Sequence, residues 1–263
     1  KCVVITGASS GIGRELAVAL ARLGANVVLA ARDAAALGKT AAACEAAGAR
    51  AIVVPTDVCE EAACARLAHE ATSAFGGIDV LVNNAGISMW GRFDELTDIS
   101  LVERIMRVNY LGAVYATFHA LPSLKERRGL IVAISSLTGL TGVPRRSAYA
   151  ASKHAMQGFF DSIRIELRES GVDVLVVSPG FVATPIRSRA LAPDGKAHGA
   201  SPRDESRDTM PVDECVRQIV NAMAARRRDL VMTVRARLAM WIKLVAPGVV
   251  DGVADRATRA RAT

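Results

Sequence analysis

Short, nearly continuous apolar runs recur along the chain, separated by stretches in which apolar residues return every three or four positions. The runs at 1–6 ("KCVVIT"), 26–31 ("NVVLAA"), 51–55 ("AIVVP"), 78–83 ("IDVLVN"), 130–135 ("LIVAIS"), 172–178 ("VDVLVVS") and 229–234 ("DLVMTV") are rich in β-branched residues. Such runs predict strands buried on both faces. The amphipathic stretches 11–24, 34–48, 59–76, 98–127, 147–170 and 211–227 predict helices. Strict alternation of strand and helix requires crossover connections, so the expected architecture is α/β: one doubly wound parallel sheet of seven strands with helices on both faces. No linker or internal repeat interrupts residues 1–234, which read as a single domain.

Two segments break the pattern. Residues 186–210 carry Pro, Gly, Ser and mixed charge, and are too long for an ordinary connection. They follow a predicted strand end, where open parallel sheets bind ligands, so a substrate lid is expected there. Residues 235–263 form a basic and apolar extension around "LAMWIKLVAPGVV". This core is too short to span a bilayer and contains Lys243. Packing on the body or on a partner subunit is expected, in preference to contact with an anionic membrane surface.

Composition narrows the class. Hydrophobic residues make up 51% of the chain and charged residues 22%, enough to bury a core and too apolar for disorder. The net charge of +7 contains no like-charge block longer than Arg226–Arg228, so no nucleic-acid partner is expected. The five cysteines include no C-x-x-C pair. Reduced core thiols in a cytoplasmic protein are expected, with neither a disulfide framework nor a metal site.

Candidate chemistry begins after the first strand. "TGASSGIG" places Gly7, Gly11 and Gly13 between a strand and a helix start. Glycines permit a sharp turn and close backbone approach, and the helix amino terminus offers N–H groups to a pyrophosphate. The spacing G-x-x-x-G-x-G differs from the common dinucleotide fingerprint but shares its context. The same residues satisfy G-x-S-x-G, which would make Ser9 a hydrolase nucleophile with His154 or His198 as base. That reading is disfavoured, since the third glycine is explained by phosphate binding and is idle in a hydrolase.

"SAYAASKHA" (147–155) sets Tyr149 and Lys153 four positions apart on one helix face. His154 is rotated by about 100° from the lysine and faces elsewhere. The second strand ends in "AARD", with Ala31 and Arg32 where an acidic residue would bind a ribose 2′-hydroxyl. Arginine forms bidentate bonds to phosphate, so NADP(H) is expected in preference to NAD(H). Asp33 is expected to cap the next helix, and Arg14 to add charge nearby.

Four further motifs follow in order: "NNAG" (83–86), "VNYLG" (108–112), "ISS" (134–136) and "SPGFVAT" (178–184). Together with the glycine loop and "YAASK", they make the chain closely resemble the short-chain dehydrogenase/reductases, in their compact branch, from residue 2 to about 234. The resemblance implies a Rossmann-like fold and a catalytic tetrad of Asn109, Ser136, Tyr149 and Lys153. Ser136 rather than Ser135 is chosen because family members place the serine thirteen residues before the tyrosine (149 − 13 = 136). The resemblance also implies that Gly7, Ser9, Ser10, Gly11, Ile12 and Gly13 hold the cofactor phosphates. Asp57 and Val58 would lie at the adenine, and Asn83, Ala85 and Gly86 at the ribose. Pro179, Gly180, Val182 and Thr184 would hold the nicotinamide, in contact with Tyr149 and Lys153.

In this scheme Tyr149 exchanges a proton with a carbonyl or alcohol oxygen. Lys153 lowers its pKa, Ser136 hydrogen-bonds the developing oxyanion, and Asn109 holds a water leading to Lys153. Lowering a phenol by about three units from about 10 takes roughly 4 kcal/mol. The segment 88–93, Leu137, Leu140, Val143 and Phe181 are expected around an apolar carbonyl substrate, with Arg145 and Arg146 on the surface. The resemblance also implies a homodimer or homotetramer. A cofactor-binding regulator without turnover is the alternative, which the intact tetrad disfavours.

Overall fold

The computed structural model describes residues 1–199 and 209–259. Strands β1 (Cys2–Thr6), β2 (Asn26–Ala31), β3 (Ala51–Pro55), β4 (Val80–Asn83), β5 (Leu130–Ile134), β6 (Asp173–Ser178) and β7 (Asp229–Val231) form one sheet. All pairings are parallel, in the order β3-β2-β1-β4-β5-β6-β7. The order reverses between β1 and β4, and there the crossovers leave opposite faces and open a crevice at the strands' carboxyl ends.

Helices α1 (Gly11–Arg22), α2 (Ala34–Ala46) and α7 (Val212–Ala224) cover one face, with Ile5, Leu16, Leu29, Leu37 and Ile219 in the core beneath them. Helices α3 (Glu61–Phe75), α5 (Gly112–Arg127) and α6 (Ser147–Glu166) cover the other, over Val4, Leu67, Leu81, Leu124 and Phe160. Adjacent residues Val4 and Ile5 of β1 thus enter opposite cores. Two-sided burial is why the strands read as unbroken apolar runs.

Three boundaries differ from the sequence pattern. The helix expected over 98–127 is α4 (Ser100–Met106), a π-helical turn (Arg107–Leu111) and α5. The wider turn re-aims the residues inside it. The seventh strand stops at Val231 because Thr233 caps α8 (Val234–Val245), its hydroxyl accepting from the Ala236 N–H at 3.2 Å. The expected division after residue 234 therefore falls just inside a helix.

In the extension, α8 and α9 (Pro247–Arg259) pack on each other. No residue of α8 is buried, and Trp241, Leu244 and Val245 are 71%, 76% and 84% exposed. The links from α8 to the body include polar contacts: the Lys243 ammonium donates to the Leu140 carbonyl (2.7 Å) and Arg237 Nε to the Val231 carbonyl (3.0 Å). The expected packing of the extension's apolar side on the body is not seen in α8. No helix among the described residues is long and apolar enough to cross a membrane.

Residues 200–208 of the expected lid lie outside the described residues. Its first part is stitched across the cleft mouth. Leu191 bridges Met89 and Ala197, and Val182 bridges Met210.

Candidate active site

A cleft of about 650 Å³ lies along the carboxyl ends of β1, β4, β5 and β6. Its floor at β1 is the glycine loop. Gly7 and Gly11 adopt left-handed backbone (φ +67° and +57°), which non-glycine residues resist. A Cβ at Gly7 would stand 2.9 Å from the Ala85 Cα, and one at Gly13 would stand 2.4 Å from the Gly7 carbonyl oxygen. Gly13 therefore serves close packing within the loop and does not line the cleft. Ser10 makes no side-chain cap on α1, so the first N–H groups and the positive dipole end of that helix face the cleft.

Ser9, Ser10, Gly11 and Ile12 line this end, as do Arg32, Asp57, Val58, Ala85, Gly86, Pro179, Gly180, Val182 and Thr184. The donor set fits a dinucleotide: a glycine cradle, an uncapped helix start and an arginine where a 2′-phosphate would sit. Asp33 caps α2 by accepting from the Ala36 N–H at 2.9 Å. Arg14 departs from expectation. It pairs with Glu15 at 2.6 Å and does not line the cleft. Arg189, which no motif singles out, reaches back from the lid to donate to Ser10 Oγ at 3.2 Å.

Asn84, and not the expected Asn83, lines the cleft. Asn83 turns inward and donates to Thr117 Oγ1 at 2.9 Å, so its side chain is away from the cleft. Asn84 lines the cleft and donates to the Thr6 and Gly7 carbonyls (2.9 and 3.2 Å). Alternation along a strand sends neighbours to opposite faces, and motif spacing alone did not say which.

At the β5 end, Ser136, Tyr149 and Lys153 share one wall. Ser136 accepts from the Thr138 N–H (3.2 Å), and its hydroxyl lowers the Tyr149 pKa. Ser135 instead turns to the Lys153 carbonyl, 3.4 Å away. The Lys153 ammonium donates to the Ile134 carbonyl at 2.8 Å and touches the Met156 sulfur at 3.3 Å. It lies 5.8 Å from the centre of the Tyr149 ring.

Asn109 is fully buried in the π-helical turn. Its carbonyl accepts from the Ile87 N–H (2.8 Å), and its amide donates to the Ile87 carbonyl and to Ser152 Oγ (both 2.9 Å). Its side chain fixes the 84–87 loop to α6 and does not line the cleft.

Burial dominates the electrostatics of this wall. Burial pushes the Tyr149 phenol up, opposed first by Arg146 and then by the Ser136 hydrogen bond. Lys153 is not among the groups that lower it. Burial itself pulls the Lys153 ammonium down to about 7, because a charged group loses hydration there. The first group opposing the rise at Tyr149 is Arg146, which the sequence pattern placed on the surface.

Arg146 is 8% exposed. It lies over the rings of Trp90 (5.2 Å), Phe181 (5.6 Å) and Tyr149 (5.6 Å) and lines the cleft. Arg145 is the half-buried neighbour, with φ +65°. The remaining substrate-side expectations divide. Ser88, Phe181 and the lid residues Ile186, Arg187 and Leu191 line the cleft, whereas Trp90, Leu137 and Val143 do not. Met89 is buried in a small cluster with Leu101 and Ile105. Leu140 faces a second cavity shared with α8.

No histidine lines the cleft among the described residues, so Ser9 has no base beside it there. His154 bonds to the Ala150 carbonyl at 2.9 Å. All five cysteines are free thiols, four of them buried, and no cluster of metal ligands occurs among the described residues.

Comparison with known proteins agrees with this geometry. A short-chain dehydrogenase family model matches residues 1–194. A Rattus norvegicus dehydrogenase/reductase SDR family member 7B is 38% identical over 261 residues, covering 93% of this chain and 77% of its own. The Arabidopsis thaliana 11-beta-hydroxysteroid dehydrogenase-like 4A is 38% identical over 248 residues, covering 94% and 81%. Among solved structures, a Burkholderia phymatum short-chain dehydrogenase/reductase in complex with NAD superposes with a TM-score of 0.82 at 28% identity, over 95% of this chain and 94% of that one. An alcohol dehydrogenase from Thermococcus sibiricus complexed with 5-hydroxy-NADP gives 0.77 at 27% identity, over 88% and 94%.

Proposed function

Because the chain belongs to the short-chain dehydrogenase/reductase family, we propose that it is an NADP(H)-dependent oxidoreductase working between ketones and secondary alcohols. The observation that carries this reading is the convergence of Ser136, Tyr149 and Lys153 on one wall of the cleft whose floor is the glycine loop. A nicotinamide cofactor held there would supply the hydride chemistry at the substrate carbon.

The chain's own groups supply everything else in the proposal. The α1 amino terminus, Ser9, Ser10 and Arg189 hold phosphate oxygens. Arg32 takes a 2′-phosphate. Ala85 and Gly86 flank the ribose, Asp57 and Val58 the adenine, and Pro179, Gly180, Val182 and Thr184 the nicotinamide. Gly13 and Asn109 act as positioning residues, and Asn84 takes the cleft position first assigned to Asn83.

Ser136 donates to the substrate oxygen as negative charge develops there. Tyr149 transfers the proton. Burial keeps the phenol protonated at neutral pH, which suits it to donate and favours the reductive direction. Lys153, held by the Ile134 carbonyl, stands behind Tyr149 to return the proton. Assembly as a dimer or tetramer belongs to the same reading, supported by the largely exposed Phe118 on α5 and Ile165 on α6.

The test is a carbonyl panel followed by NADPH absorbance, run in both directions over pH, with cofactor binding measured in parallel. The proposal expects reduction that holds through neutral pH and alcohol oxidation that climbs with alkali. Cofactor binding without turnover of any carbonyl would favour a regulator and overturn it.

A further inference from the structure

Arg146 is the residue on which the substrate end of the cleft turns. It stands immediately before α6, three residues from Tyr149, and is 92% buried. Its guanidinium carbon lies over three rings, those of Trp90, Phe181 and Tyr149. Rings satisfy the faces of a guanidinium but not its N–H edges. None of those N–H groups donates to any described residue, no carboxylate pairs with it, and Nε is wholly buried without an acceptor. Arginine does not shed its charge in proteins, and a buried cation without a hydrogen-bonded counter-charge is unfavourable.

A second guanidinium lines the same end of the cleft. Arg187 is also buried and lines the same cleft, lies 5.7 Å from the Phe181 ring, and donates to the Val182 carbonyl at 2.7 Å. No Asp or Glu lines this end of the cleft among the described residues, since Asp33 and Asp57 lie at the opposite end. Arg146 therefore faces the cleft among apolar and aromatic walls, the setting in which a guanidinium fork grips a planar carboxylate or a phosphate.

We propose that Arg146 binds an anionic oxygen group of the substrate, so that the preferred substrates are oxo-acids: carbonyl compounds carrying a carboxylate or phosphate within a few bonds of the reacting C=O. The spacing follows from position, because the same guanidinium carbon is 5.6 Å from the centre of the Tyr149 ring. The rest of the substrate lies against Phe181 and Leu191. This substrate class rests on the oxidoreductase reading and sharpens its apolar carbonyl compound to one with an anionic end. Burial lowers the Arg146 pKa, and the adjoining phenol and Arg187 act on it in opposite directions, as expected for a cation facing a site that lacks its anion.

Two matched pairs test it with NADPH and the full chain: 4-oxooctanoate against its methyl ester, and the phosphate ester of 1-hydroxyoctan-2-one against the free alcohol. The charged member of at least one pair should have the higher kcat/KM, by about 10- to 100-fold, the range for hydrogen bonds to a charged group. Which pair responds separates carboxylate from phosphate recognition. Arg146→Leu should erase that preference, raising KM for the charged members beyond any change in kcat that charged and neutral members share. Arg146→Lys, keeping the charge and losing the fork, should restore only part.

If Arg146 served Tyr149 alone, charged and neutral substrates would fall together in kcat, and the proposal would be overturned. Neutral ketones turned over as well as charged ones by the unaltered protein would also overturn it, while leaving the oxidoreductase reading intact. A readout without turnover covers the case of no activity. In a Trp241→Phe background, where Trp90 is the sole tryptophan, octanoate or octyl phosphate should alter its fluorescence saturably and methyl octanoate should not. Equal responses to all three contradict the proposal.

Discussion

Adding one methyl group at Gly13 and the same group at Gly38 should move stability in opposite directions. At Gly13 the new Cβ would lie 2.4 Å from the Gly7 carbonyl oxygen and 2.5 Å from Asn84 Nδ2. Neither neighbour is a flexible chain end. The Asn84 amide is tied to the Thr6 and Gly7 carbonyls (2.9 and 3.2 Å), and Gly7 is fixed in a left-handed turn. Relief requires the loop to shift, at an overpacking cost of about 1–3 kcal/mol.

At about 2–4 °C per kcal/mol for a chain of this size, Gly13→Ala should lower Tm by about 2–12 °C. At Gly38, exposed in the middle of α2, an added Cβ meets nothing within 4 Å. Glycine in a helix interior costs about 0.5–1 kcal/mol relative to alanine, so Gly38→Ala should raise Tm by about 1–4 °C. Thermal unfolding followed by circular dichroism, with NADPH titration of both variants, reads the difference. Gly13→Ala should also weaken cofactor binding, because the displaced loop is its phosphate cradle, and Gly38→Ala should not. A silent Gly13→Ala, or two shifts of the same sign, would refute the packing account of the glycine loop.

Other outcomes follow from charge and exposure. Arg32→Asp should move the NADPH/NADH preference toward NADH by about 5- to 30-fold, the equivalent of about 1–2 kcal/mol for an exposed guanidinium–phosphate contact; steady-state kinetics with both cofactors checks it, and an unchanged ratio dismisses the role of Arg32. Lys153 titrates near 7 in the fold and about 10.4 in an unfolded chain. Between those values the unfolded state binds more protons, so its contribution to stability rises with pH across that window and is lost as pH falls through 7. Urea unfolding at several pH values should show Lys153→Met with a flatter dependence there. Truncation after Thr233 removes two helices whose large apolar residues are mostly exposed. The shortened chain should keep its unfolding free energy within about 1 kcal/mol, and sedimentation with anionic vesicles should report whether the extension held the full chain to lipid.

The sheet was legible from apolar runs because its central strands are buried on both faces, and that burial leaves an uninterrupted record in β1, β4 and β5. What motif spacing hid depended on side-chain direction. Asn83 and Asn84 are adjacent and chemically identical, and only the pleat decides which meets the cleft. The π-helical turn around Asn109 leaves no compositional trace, because it is one residue of extra winding inside an otherwise ordinary helix. Arg146 read as surface because arginine usually is; its burial comes from Trp90 and Phe181, which are distant in sequence and meet only in the folded chain. The same holds for the electrostatics of Tyr149. A lysine one turn away on the same helix suggested its regulator, but Lys153 turns to the Ile134 carbonyl and loses hydration, leaving Arg146 as the first opposing charge.

The central claim is that Tyr149 is the proton donor of a nicotinamide-dependent carbonyl reduction. Its most direct measurement is the reduction rate of the best substrate by Tyr149→Phe under saturating NADPH, with cofactor affinity determined on the same sample. Loss of a positioned general acid costs about 10²- to 10⁴-fold, so the account predicts a fall in that range with NADPH affinity within about threefold of the parent. A variant that binds NADPH normally and keeps more than about a tenth of the parent rate, against the expected loss, would contradict it.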